Sequence, residues 1–339
     1  MFLVMVTILS FGHAFTQPSA TLTRQSKSAL FTSSRNMSVS SNTESRLRTW
    51  QELQRLASEQ TPVGKALTED QQLRQAGYGE AHVTNTLRLF DKPKDFKPKF
   101  TLYRDTAGWC PYCEKTMLLI EEKRIPINIR TVNMRSYGDK PREFLQMVPN
   151  GLLPALVVED GPRSRVITES QVIMEMLDAA HPVQDGYRPM IPTDSQGQMR
   201  YRYLTQLERQ LFGAWCQLMF RPEGVLSGGL MSGLLGGNNL SGAMKQFLQV
   251  MDEVDRCLLE TPGPWFFDFN TEGPTMIDFI YISHVERMLA SCAYWKGLDM
   301  RSIENKKRWK GLNNWLDAFD QRPSYLGFKS DYYTNVMVS

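Results

Sequence analysis

The stretch GWCPYCEKTMLLIEEKR, residues 108–124, constrains the fold more than any other part of the chain. FTLYRDT, residues 100–106, precedes it and predicts a short strand; the run from Pro111 to Arg124 predicts a helix. Pro111 suits the first turn of a helix, where its fixed φ starts the spiral and its missing N–H costs nothing. Cys110 then stands at the N-cap, facing unpaired backbone N–H groups and the positive end of the helix dipole. Such a place lowers a thiol pKa from about 8.5 into the range of roughly 3.5–7.5. Cys113 lies one turn later on the same face, deeper but within reach.

Two other uses of the pair fit less well. The remaining cysteines, Cys216, Cys257 and Cys292, are isolated, and the four histidines (His13, His82, His181, His284) are scattered. A protein-only zinc site needs four ligands, and no metal site is expected from this pattern. A disulfide inside Cys-x-x-Cys at a helix start is strained and easily reduced, so it makes a redox couple rather than a staple. Five sparse cysteines are no secreted disulfide framework.

The flanking pattern supplies an architecture. IPINIRTVNM reads as a strand, YGDKPREFLQMVPNG as a short helix or loop, LPALVVED and RSRVITE as two strands about the turn Asp160–Pro162, and SQVIMEMLDAAHP as a closing helix. The order β-α-β then β-β-α, in under about ninety residues, is a thioredoxin-type layout. A Pro-rich linker, 182–198, separates it from a helical half. Leu204, Leu207, Leu211, Ala214, Trp215 and Leu218 mark a first helix; SGAMKQFLQVMDEVDRCLLE, PTMIDFIYISHVERMLASCAYW and RSIENKKRWKGLNNWLDAFDQRP mark three more, the second of these central because it is largely apolar. Thr275 and Asp278 form a capping pattern with a folding role. The glycine-rich stretch 224–242 lacks the Gly-Lys-Ser/Thr ending of a phosphate loop and reads as a mobile loop.

Ahead of these domains, ESRLRTWQELQRLASEQ (44–60) spaces Leu47, Trp50, Leu53 and Leu56 as an amphipathic helix. Residues 61–97 read as an extension that wraps the next domain and ends in a linker. Residues 1–43 read as targeting sequence. An apolar run of about ten residues, Phe2 to Phe11, matches a secretory signal and is too short to span a bilayer. A Ser/Thr-rich segment follows with Arg24, Lys27 and Arg35 and no acidic residue before Glu44. Signal plus transit-type segment, with Phe15 at the junction, resembles the bipartite presequence of complex plastids, so the plastid stroma is the expected destination, with mitochondrion or cytosol as alternatives. Four segments result: presequence 1–43, extension and linker 44–97, thioredoxin-like domain 98–182, and all-helical domain 183–339. The formal net charge of +3 gives no basis for nucleic acid or an acidic membrane as partner.

WCPYC after a strand, NGLLPAL before the next, ITES opening a helix, and the helical second half together resemble the glutathione S-transferases of the cysteine type, in particular the omega, lambda and plant iota-like classes. LER-LF-AW, Leu207 to Trp215, adds to the likeness with the iota-like proteins. The resemblance covers about residues 98–335. It implies that Cys110 forms a mixed disulfide with glutathione and that Tyr112 is the aromatic beside it. Pro154 would be the cis-proline, and Leu153 would pair its backbone with the cysteinyl part of the tripeptide. Lys140 would meet the glycyl carboxylate, and Glu169 and Ser170 the γ-glutamyl amine and carboxylate. Tyr203, Trp215, Arg287 and Trp295 are candidates for a co-substrate pocket between the domains. Many omega-type enzymes lack a cysteine at the position of Cys113, so an internal disulfide is open to this chain.

The expected function is a glutathione-dependent thiol transferase or reductase acting on glutathione mixed disulfides, dehydroascorbate or quinone adducts, with glutathione as co-substrate and a homodimer as one assembly. The alternative is a binding protein for a hydrophobic metabolite or a glutathione-ligated iron–sulfur cluster.

Overall fold

β-Branched and aromatic residues between Phe100 and Asp105 form a strand buried on both faces, and the sheet is built around it. The computed structural model describes residues 49–135, 138–160, 163–220, 241–269 and 273–337. In chain order the first elements are α1 (Trp50–Gln60), α2 (Pro62–Gln75), β1 (Leu87–Arg88), β2 (Phe100–Asp105), α3 (Pro111–Lys123), β3 (Ile127–Val132), α4 (Arg142–Met147), β4 (Ala155–Asp160), β5 (Arg163–Ile167) and α5 (Ser170–Ala179). The sheet order is β1-β3-β2-β4-β5, with β2 parallel to β3 and antiparallel to β4. This is the thioredoxin-like layout read from the sequence, with one strand added.

That added strand, β1, lies in the stretch read as extension and linker. It pairs antiparallel with β3, Leu89 beside it is buried, and the buried guanidinium of Arg88 meets the Glu121 carboxylate of α3 at 2.7 Å. Two residues of strand carry almost no propensity signal; long-range pairing and a buried ion pair define them. α1 and α2 pack on each other, yet neither fully buries a residue, and Trp50, Leu53, Val63 and Leu67 are exposed. Among the described residues of the apolar stripe read at 44–60, Trp50 and Leu53 are exposed and none enters the core.

The helical half comprises α6 (Ser195–Phe220), α7 (Gly242–Leu259), α8 (Met276–Lys296), α9 (Ile303–Arg308), α10 (Lys310–Phe319), α11 (Pro323–Leu326) and α12 (Tyr332–Met337). α8 is buried almost without interruption from Met276 to Cys292 and packs against α3 and α6. The final predicted helix is broken at Trp309, whose fully buried indole donates to Asp252 Oδ1 at 2.7 Å. Anchoring that side chain takes precedence over helical continuity. Among the described residues no helix is long and apolar enough to cross a membrane. The presequence and nearly all of the glycine-rich stretch 224–242 lie outside the described residues.

Asp278 ties this half together. Its buried carboxylate accepts from the Thr275 N–H at 2.8 Å, the Trp315 indole at 2.9 Å and the Phe266 N–H at 3.2 Å. Burial pushes its pKa up against these donors. With the Thr275 hydroxyl, which also donates to it at 2.8 Å, Asp278→Ala strands four buried donors and should lower stability by at least about 3 kcal/mol, read as a lower denaturant midpoint. A variant within about 0.5 kcal/mol of wild type would refute this role.

Candidate functional site

The cysteine turn is fixed from below before it reaches the helix. Asp105 ends β2, and its Oδ2 accepts from the N–H groups of Trp109 at 3.0 Å and Cys110 at 3.4 Å. Between them Gly108 adopts φ +77°, and a Cβ there would stand 3.0 Å from Val83 of the extension, so both conformation and space call for glycine. Cys110 is the N-cap of α3 with Pro111 in the first turn, as the sequence predicts.

The two thiols differ sharply. A hydrogen bond from the Cys113 thiol is the chief cause that lowers the Cys110 pKa, aided by the backbone N–H groups of Cys113 and Tyr112; burial and the Asp105 charge act the other way. Burial pushes Cys113 well above the usual thiol range, and its bond to Cys110 adds to this. Cys110 is therefore the more acidic thiol of the pair and Cys113 the less acidic one, which donates to it.

Charged groups from the helical half surround this turn. Arg287 of α8 donates to the Trp109 carbonyl, and its guanidinium lies 5.3 Å from the centre of the Trp109 ring. Behind it Glu114 of α3 and Glu286 of α8 form a buried, hydrogen-bonded carboxyl pair. Burial raises both, Glu286 to about 7, and the Tyr325 hydroxyl donates to Glu286 at 3.1 Å. On the other side Tyr112, 42% exposed, has Lys115 5.1 Å from its ring centre and packs edge-on against His284. Burial pulls Lys115 down to about 8. His284 Nδ1 lies 2.6 Å from Glu208 of α6, both buried.

Sequence reasoning found Arg287 but missed Asp105, Glu114, Lys115, Glu208, His284 and Glu286. At helical spacing the five on helices look like a solvated face; the docking of α3 against α5 and α8, and of α8 against α6, makes them buried.

The residues carried over from the resemblance are placed as follows. Leu153–Pro154 is a cis peptide with Pro154 buried at the head of β4. Lys140 donates to the Asn133 carbonyl at 2.8 Å and is half-buried, so burial lowers its pKa, against a raising effect of negative charge at the cysteine turn. Glu169 precedes α5 with φ +70°, a left-handed conformation unusual for a non-glycine residue, and its side chain is exposed. It makes no capping bond, and buried Ser170 follows as the first residue of the helix. The other pocket candidates do not gather here. Trp215 is core and donates to Ser291 Oγ at 3.0 Å; Tyr203 is engaged with Glu253, and Trp295 is exposed against Tyr294. A cleft of about 600 Å³ lies instead between α5 and α6, lined by Gln171, Glu175, Tyr201 and Arg209, and includes none of the cysteine-site residues. The chemistry of the thiols, not cleft size, identifies the site.

The chain is similar to proteins of known family. Residues 109–180 match the family model "Glutathione S-transferase, N-terminal domain", and residues 221–318 match "Glutathione S-transferase, C-terminal domain". The chain is 32% identical over 220 residues to pyrimidodiazepine synthase of Drosophila melanogaster, covering 65% of this chain and 77% of that protein. It is 31% identical over 75 residues to glutathione S-transferase DHAR3, chloroplastic, of Arabidopsis thaliana, covering 22% of this chain and 26% of that protein. The fold is similar to that of glutathione transferase Omega 3C from Trametes versicolor, with TM-score 0.53 and 19% identity over 70% of this chain and 91% of that one.

The thiol asymmetry generates a test. Cys113→Ala removes the S–H donor to Cys110, so the Cys110 pKa rises and its thiolate is lost at higher pH than in wild type. The iodoacetamide rate of Cys110, followed against pH, should show its midpoint shifted upward. An unchanged or lower midpoint would refute the donor role of Cys113.

Proposed function

The chain belongs to the glutathione S-transferase family, and we propose that within it this protein is a cysteine-type, glutathione-dependent thiol transferase with Cys110 as nucleophile. The observation that carries this is the placement of Cys110: N-cap of α3, its pKa lowered by the thiol of Cys113 and by backbone N–H groups. A thiolate at such a cap attacks disulfide sulfur directly. Conjugation of glutathione usually uses a Ser or Tyr hydroxyl that only polarises the bound thiol; with Cys110 in that place, conjugation is a secondary activity at most.

In the first step the Cys110 thiolate attacks the glutathionyl sulfur of a mixed disulfide. The old S–S bond breaks, the released thiolate takes a proton from solvent, and Cys110 keeps the glutathionyl group. A second glutathione, as thiolate, then attacks that glutathionyl sulfur, releasing oxidised glutathione and restoring the Cys110 thiolate. Dehydroascorbate and quinone adducts are further candidate oxidants. Cys113 stays a donor in this monothiol cycle, in keeping with its raised pKa.

For glutathione itself we assign the Leu153 backbone beside the cis peptide to the cysteinyl moiety, as an added strand would pair, and Lys140 to the glycyl carboxylate. The exposed Glu169 would meet the amine, and the N-terminus of α5 at Ser170 the γ-glutamyl carboxylate. The left-handed backbone at Glu169 supports its assignment, because strain without a capping bond calls for another use. Tyr112 would flank the bound sulfur. A homodimer is the assembly we expect.

Turnover of a panel of glutathione mixed disulfides separates these roles. Cys110→Ser should abolish transfer, since a serine hydroxyl forms no mixed disulfide, and Cys113→Ser should retain it. Glu169→Ala should weaken glutathione binding by about tenfold to a hundredfold, the loss of one hydrogen bond to a charged group. Equal loss in both cysteine variants would favour an internal disulfide instead, and an active Cys110→Ser would overturn the proposal.

We also assign residues 1–43 to plastid import, supported by their composition. A fluorescent protein carrying them should enter the plastid, and Phe15→Ala should divert it; cytosolic retention of the wild-type fusion would refute this.

A further inference from the structure

We propose that Asp105, Cys110 and Cys113 form a binding site for one thiophilic divalent cation, zinc foremost, that engages both sulfurs and one carboxylate oxygen and leaves a fourth position open. One donor atom from each of the three residues lies within 4.8 Å of the others, and all three residues are buried, with 1–3% exposure. Asp105 supplies a second, independent observation. Its Oδ2 is committed to the Trp109 and Cys110 amides, but its Oδ1 is buried and has no hydrogen-bond partner among the described residues. A buried carboxylate oxygen without a donor is costly, and a cation beside it removes that cost.

The donor set suits the ion. Zinc binds thiolate sulfur at about 2.3 Å and carboxylate oxygen at about 2.0–2.2 Å. Donors around a tetrahedral ion therefore stand about 3.3–3.8 Å apart, so the cluster need close by little more than about 1 Å at most on binding. The donors sit on rigid elements: Asp105 at the end of β2, in register with Val132 of β3, and the cysteines at the cap and first turn of α3. Three protein ligands with an open fourth position is the pattern of an exchangeable rather than a closed structural zinc site. The charged groups that face the site act in both directions. Arg287 and Lys140 oppose a cation, while the Glu114–Glu286 pair on the far side of Arg287 offsets its charge. Binding displaces the Cys113 proton to solvent, so affinity rises with pH. The bound ion holds both sulfurs, which would silence the thiol chemistry until a chelator removes it. Binding itself requires no glutathione and is read without turnover, so it stands or falls apart from the proposed reaction.

The test uses the full chain, fully reduced and free of air, titrated with cobalt(II) as a spectroscopic probe and then with zinc. One cobalt per chain is expected, with thiolate-to-metal charge transfer in the near ultraviolet, visible bands of tetrahedral intensity, and stoichiometric displacement by zinc. Asp105→Asn can still cap the amides through its carbonyl oxygen but loses the charged ligand, and should bind at least about tenfold more weakly. Cys110→Ser and Cys113→Ser should lose the charge-transfer band. Asp105→Asn binding as tightly as wild type would reduce the site to a plain dithiol chelate and overturn the proposal, as would an unchanged spectrum in either serine variant or the absence of binding. Should Asp105→Asn fail to fold, zinc-edge X-ray absorption of the wild type decides. Two sulfur neighbours with an oxygen shell support the site; four sulfurs or none overturn it.

Discussion

A buried cation from the helical half, Arg287, reaches into the loop that precedes Cys110 and bonds the Trp109 carbonyl. Removing a guanidinium from water is costly unless it is paired, and here the counter-charge comes from both halves at once, Glu114 on α3 and Glu286 on α8. The cysteine turn is thus held from below by Asp105, from the helical side by Arg287, and at Gly108 by Val83 and the Ser330 hydroxyl, which donates to the Gly108 carbonyl at 3.2 Å. The thioredoxin-like layer carries the cysteines but does not by itself fix the loop that presents them. This gives a physical reason for the two halves to form a single unit from Trp50 onward.

The same arrangement makes the two cysteines unequal. Cys110 collects donors: the Cys113 thiol and two backbone amides. Cys113, one turn deeper, is raised by burial first, then by its bond to Cys110 and the neighbouring negative charge, against one backbone bond at Asp105. Beside Tyr112, the buried side chains of Lys115, His284 and Glu208 form a partly charged cluster behind the exposed face of the ring.

Much of this was legible in the sequence because it rests on local rules. Pro111 at the first turn, Cys110 at the cap, and the strand–helix order follow from backbone chemistry within a few residues. The burial of α8 follows from its apolar content. What escaped depends on distant partners. β1 is two residues long and exists through its pairing with β3 and the Arg88–Glu121 ion pair. Asp105 reads as an ordinary strand-end acid until its carboxylate is seen under the amides of Trp109 and Cys110. Glu286 and His284 interrupt an apolar helix and look like a solvated edge, yet each finds its partner on another element. Aromatic residues misled in the opposite direction: Trp215 and Trp295 suggested a pocket, but one is core and the other lies on the surface.

The carboxyl pair behind Arg287 carries a cost that the fold accepts. Burial raises Glu286 from an ordinary value near 4.5 to about 7, so between those values the folded state holds a proton that the unfolded chain has released. Stability on this account declines as pH rises through that window, and the loss is complete above about 7. A surface carboxylate would avoid the penalty but would leave Arg287 buried and unpaired, which is the more expensive error. Sharing one proton lets the pair present a single negative charge to one guanidinium, so the loop ahead of Cys110 is held by a locally neutral cluster. A neutral support matters because an uncompensated carboxylate would oppose the thiolate, as Asp105 already does, and an uncompensated guanidinium would hold the sulfur in an ion pair.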